Sequence, residues 1–72
     1  MTQKAQVIVD RLATYLEGKI AYHRMNLEVY LNNPTGIGEH PDLLGAMEEE
    51  LGKLAEYQEK LAVLENTDFN VW

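Results

Sequence analysis

The stretch Asn32-Asn33-Pro34-Thr35-Gly36-Ile37-Gly38-Glu39-His40-Pro41-Asp42 decides the fold. It holds both prolines of the chain and two of its five glycines. Proline lacks the N–H that a helix ladder needs, and glycine loses the most backbone entropy on entering one. A cluster this dense stops any helix that reaches it. On either side the sequence runs at helix length with no comparable break. The spacing therefore predicts an all-α, antiparallel two-helix hairpin, with helices over 3–31 and 41–65, a loop over 32–40 and a tail over 66–72.

In the first run, Val9, Leu12, Leu16, Ile20, His23, Leu27 and Tyr30 recur at steps of three and four, which is one face of a helix. Beside them run Ile8, Tyr15, Tyr22 and Val29, spaced by seven. Together the two rows are wider than one partner helix covers. Gly18 is the lone breaker, at a cost of about 1 kcal/mol relative to alanine. In the second run, Leu44, Met47, Leu51, Leu54, Gln58 and Leu61 alternate threes and fours in a coiled-coil-like seam. Glu49–Lys53 and Glu56–Lys60 are i,i+4 pairs expected on the solvent face. Pro41 suits a first helical turn, Asp42 the positive end of the helix dipole, and Asn66 a left-handed stop.

Seventy-two residues make one small domain with a marginal core. The lack of cysteine removes disulfides and thiolate metal sites as remedies, which leaves oligomerisation. Hence Ile8, Leu12, Tyr15, Tyr22 and Val29 are the expected oligomer interface, in a dimeric four-helix bundle or a higher assembly.

The net charge of −6 is unevenly spread. Residues 1–31 carry four cations and three anions, whereas 39–72 carry two lysines and nine carboxylates. The acidic half repels a phosphate backbone, so neither nucleic acid nor an anionic membrane is an expected partner. No apolar run approaches the roughly 20 residues that cross a bilayer. Met1-Thr2-Gln3-Lys4 leads directly into an amphipathic pattern. The expectation is a soluble, cytoplasmic chain.

Groupings that carry chemistry are few. His23 lies on the first seam, near the expected level of Glu48 or Glu49, as a core histidine or half of a metal or proton site. A carboxylate-bridged di-metal bundle needs Glu-x-x-His, but isoleucine stands three residues before both His23 and His40. Glu48-Glu49-Glu50 project about 100° apart on a helix and cannot converge on one ion, so they read as a solvated face. Tyr15, Tyr22 and Tyr30 offer rings for a stacked ligand, or simply bundle contacts. Gly36, Gly38, His40 and Asp42 form the candidate ligand site: an anion nest leading into a helix N-terminus. The loop has no lysine or arginine, and the same residues also suit a turn with Ile37 as an end plug and His40 as a cap. No catalytic residue, metal ligand or cofactor is assigned. Phe69, Val71 and Trp72 give the tail an apolar character, suited to folding back near Val7 or Arg11 or to docking elsewhere.

The run His23-Arg24-Met25-Asn26-Leu27-Glu28-Val29-Tyr30-Leu31-Asn32-Asn33-Pro34-Thr35-Gly36-Ile37-Gly38-Glu39-His40-Pro41-Asp42 resembles small uncharacterised two-helix proteins of marine T4-like bacteriophages. The shared features are HR-x-NLEVYL running into NP-x-GIGEHPD and then an acidic helix. The resemblance implies a phage accessory or virion-associated protein, in the host cytoplasm or the virion, with a host or virion protein as partner. It brings no catalytic residues with it. The leading expectation is a non-enzymatic, self-associating protein that acts by binding protein. The rivals are a small-ligand or anion binder using the Gly36–Asp42 loop at a subunit junction, and a metal-dependent enzyme built on His23, His40 and nearby carboxylates.

Overall fold

The structure, a computed structural model, describes residues 1–32 and 42–69. Two helices account for nearly all of them: α1 over Gln3–Asn32 and α2 over Leu43–Asn66. There is no strand among the described residues. The helices pack side by side along a rod 53 Å long and 16 by 12 Å across. They run antiparallel: Leu16 on α1 and Leu64 on α2 line one groove, while His23 is bonded to Glu50.

Each helix start is capped by a short polar side chain. Thr2 Oγ1 accepts from the Ala5 N–H at 3.0 Å, and Asp42 Oδ1 accepts from the Gly45 N–H at 3.1 Å. Each bond satisfies a donor that the first turn leaves without an intrahelical partner. Asp42 is thus the cap of α2, which starts at Leu43 rather than at 41. A Cβ at position 45 would meet the Asp42 carboxylate, so a larger residue there would oblige that side chain to shift.

The helix ends close differently from the expectation. No described residue other than glycine has positive φ, so Asn66 does not stop α2 in a left-handed turn. Instead Asn66 Nδ2 donates to the Ala62 carbonyl at 2.8 Å and Thr67 Oγ1 donates to the Val63 carbonyl at 2.6 Å. Thr67 then leaves in extended conformation. Asn32 closes α1 in the same way, donating to the Glu28 carbonyl at 2.8 Å. Short polar side chains thus add donors to the last-turn carbonyls.

The inner face of α1 is Ala5, Val9, Ala13, Leu16, Ile20, His23, Leu27 and Tyr30, all half-buried or better. On α2 it is Leu43, Met47, Glu50, Leu54, Tyr57, Leu61 and Leu64, at strictly alternating steps of four and three. Met47, Leu54 and Leu61 fall where the pattern put them, but the rest of that seam does not. Leu44 is 81% exposed, Leu51 57%, and Gln58 also faces outward. On α1, Ala13 takes the inner place expected for Leu12.

The physical reason lies across the hairpin. The row 43–50–57–64 and the row 44–51–58–65 flank the same Met47–Leu54–Leu61 line, and at the level of His23 hydrophobicity alone favours Leu51 of the second row over Glu50 of the first. His23 decides for the first. Opposite Leu51 the imidazole would lose water and gain no partner, at a cost of about 1–3 kcal/mol. Opposite Glu50 and Tyr57 it gains a hydrogen bond and a stacked ring.

This hairpin encloses very little. Leu16, at 6% exposure, is the only buried side chain among the described residues, and none is sealed from solvent completely. Ile8, Tyr15, Tyr22 and Val29 all lie outward, between 50% and 60% exposed, with Leu12 beside them. Phe69 folds back to line a groove of about 380 Å³ with Leu12, Leu16, Glu59, Lys60, Val63 and Leu64. A second groove sets Thr67, Asp68 and Phe69 beside Gln6, Val9, Asp10 and Ala13, on the first turns of α1 where the tail is expected, although neither Val7 nor Arg11 lines it. Val71 and Trp72 lie outside the described residues.

Two substitutions test the local account. Asp42→Ala should lower stability by about 1 kcal/mol, because the Gly45 N–H loses its acceptor. Gly52→Ala should raise it by up to about 1 kcal/mol, since its Cβ would meet nothing within 4 Å in a mid-helix position. Thermal unfolding read at 222 nm measures both.

Candidate functional site

One polar layer interrupts the apolar seam. At its centre His23 Nδ1 lies 2.6 Å from Glu50 Oε2, with the two side chains only 12% and 20% exposed. Position 23 is placed inward by the Leu16–Ile20–His23–Leu27 row, and position 50 by the Met47–Glu50–Leu54 row. The Tyr57 ring stacks on the imidazole, with centroids 5.6 Å apart and planes 11° from parallel. Tyr22 meets the same ring edge-on at 5.0 Å. The layer continues outward through Lys60, whose ammonium lies 4.9 Å from the Tyr57 centroid and 3.3 Å from Glu56 Oε2. The other anticipated pair, Glu49–Lys53, forms no ion pair.

The hydrogen bond from His23 holds the Glu50 carboxyl below the usual carboxylate range. Burial acts against this, while Asn26 and charge on the imidazole add to the lowering. The bond requires a proton on Nδ1, which the imidazolium and one neutral tautomer both supply. Nδ1 is therefore committed to Glu50, and Nε2 has no hydrogen-bond partner within the described chain.

Glu50 was read as part of a solvated acidic face together with Glu48 and Glu49. That reading holds for Glu48 and Glu49, which are exposed, and fails for Glu50. The signal that finds Glu50 is non-local. Among the three glutamates only position 50 belongs to the row that also contains Leu43, Tyr57 and Leu64.

A His–carboxylate pair is two thirds of a nucleophilic triad. The chain has neither serine nor cysteine to supply the third member. Among the described residues no group of three or more histidine, cysteine, aspartate or glutamate side chains is arranged to hold a metal ion. The layer ties one face of α1 to one face of α2 at a defined longitudinal register.

Of the candidate ligand-site residues, Gly36, Gly38 and His40 lie outside the described residues, as do the expected roles of Ile37 and Pro41. Asp42 is described, and its Oδ1 is engaged by the Gly45 N–H. The expected interface residues Ile8, Leu12, Tyr15, Tyr22 and Val29 are together on the outside of α1. Tyr30, the third tyrosine of the suggested stacking set, turns to the inner face and so leaves that set. Among the described residues no helix is long and apolar enough to cross a membrane. Comparison with protein-family models, curated proteins and solved structures gave no match.

The pair makes stability depend on acid. Because Glu50 titrates lower in the folded chain than in the unfolded one, its contribution is complete above the unfolded value of roughly 4.3 and is lost as pH falls through the folded value. Glu50→Gln should therefore lower stability at pH 7 and flatten its decline below about pH 4.3. Urea unfolding across pH 2.5–7 measures the slope.

Proposed function

We propose that the protein is a non-enzymatic, self-assembling helical hairpin that works through protein–protein contact. One observation carries this reading: among the described residues the hairpin buries a single side chain, Leu16, while Ile8, Leu12, Tyr15, Tyr22, Val29, Leu44 and Leu51 stay in water. Each large apolar side chain left exposed forgoes about 1.5–3 kcal/mol of burial. A row of exposed apolar side chains along one helix, such as Ile8–Tyr15–Tyr22–Val29, is the kind of surface that marks an interaction site. A second copy is the most economical cover, and a four-helix bundle the simplest product.

The place of the His23–Glu50 pair inside the helix–helix seam, where it sets register, supports a role without catalysis. The biological setting is suggested by the resemblance of residues 23–42 to small marine T4-like phage proteins. In that setting the assembled protein would be a phage accessory or virion-associated factor that engages a host or virion protein in the host cytoplasm.

Replacing Ile8 and Tyr15 together by lysine places two charges in the apolar row and tests the reading. Wild type should sediment as a dimer or larger species at micromolar concentration, and the double variant as monomer or unfolded chain. A wild type that is folded and monomeric throughout that range contradicts self-assembly.

A further inference from the structure

The outer row of α1 has an internal symmetry. Ile8, Tyr15, Tyr22 and Val29 read aliphatic, aromatic, aromatic, aliphatic, centred between Gly18 and Lys19. An isologous contact demands this property: if residue i meets residue j of the other copy, then j must meet i. When two α1 helices are laid antiparallel about that centre, Ile8 falls level with the partner's Val29 and Tyr15 level with the partner's Tyr22. A parallel pairing would instead stack each residue on itself.

The centre of the row is also where the helix surface is hollow. A Cβ at position 18 would meet nothing within 4 Å, so no group of the chain itself uses the space that glycine leaves. Thr14, Tyr15, Gly18, Lys19 and Tyr22 surround a depression of about 360 Å³ there. Lys19 lies along Tyr15, its ammonium 5.7 Å from the ring centroid, on the other side of the row from Gly18. A mid-helix glycine costs about 1 kcal/mol relative to alanine. Close approach of another backbone or ring is the kind of contact that repays it.

Charge favours the same helix. α1 carries four cations and three anions, while α2 carries six carboxylates and two lysines. Two α1 helices meet with almost no net repulsion, whereas two α2 helices meet as like-charged surfaces.

Building on the self-association argued above, we propose that a second copy docks antiparallel on the outer row of α1. The two-fold axis passes beside Gly18 and Lys19, and the tyrosines of each copy flank the other's exposed Gly18 backbone. The occupant of this surface is the chain itself, in one register.

Cysteine cross-linking tests the register cleanly, because the chain has no native cysteine. Ile8→Cys and Val29→Cys are made separately, checked for helix content, and oxidised alone and as a mixture. Positions 8 and 29 lie 21 residues apart, about 31 Å along a helix. In the antiparallel register neither single variant can bond to itself, while the mixture yields the mixed 8–29 disulfide as its main cross-linked product. Self-cross-linking of either single variant would indicate a parallel pairing and overturn the proposal. No cross-link in any sample, with association still seen by sedimentation, would overturn the α1 interface and leave the self-assembly reading standing. Sedimentation of the wild type as a folded monomer would overturn both. As a second measurement, Gly18→Leu fills the depression and should abolish dimer formation while leaving helix content intact. An unchanged dimer would place the contact elsewhere and overturn the proposal.

Discussion

Two helices cannot enclose a core, and the rest of this structure depends on that constraint. A helix in a hairpin presents one stripe to its neighbour and the remainder to water. Here the stripes are well matched, with alternating steps of three and four on both sides, yet among the described residues only Leu16 is buried. A small domain without disulfides has few other sources of stability. The exposed apolar rows on α1 and α2 are the surfaces whose covering would add most to that stability, which is why we propose them as the place of self-association.

Within that thin interface the His23–Glu50 pair has a role that apolar contacts do not fill. Apolar rows slide and rotate at little cost, and α2 has two rows of nearly equal periodicity from which to choose. A half-buried imidazole with one acceptor within reach removes the ambiguity, because every other arrangement leaves a polar group unpaired. Paired polar groups at seam positions specify register at some expense in stability. Tyr57 stacked on His23, with Lys60 above the Tyr57 ring, extends the same layer to the surface.

How much of this was legible in the sequence follows from whether each decision was local. The hairpin was, because Pro34, Gly36, Gly38 and Pro41 interrupt two runs that are otherwise helical. The outward placement of Ile8, Tyr15, Tyr22 and Val29 was too, since their row sits beside a more continuous one. The choice of Glu50 over Leu51 was not. It depends on a histidine 27 positions away, and hydrophobicity points the other way. α2 ends at Asn66 as its sequence suggests, but not by the left-handed turn expected there. Asn66 suits a left-handed stop, but Thr67 next to it provides a hydroxyl that caps a carbonyl from extended backbone. The candidate ligand residues Gly36, Gly38 and His40 fall outside the described residues, so the structure adds nothing to their reading.

The central claim is that association with a second copy stabilises the folded hairpin. The most direct measurement is the thermal midpoint of the wild-type chain as a function of its concentration. If the exposed rows are closed by a second copy, the midpoint rises steadily over a hundredfold increase in concentration, as mass action requires when only the folded chain associates. A midpoint that stays constant across that range, with full helix content at the dilute end, would contradict the account.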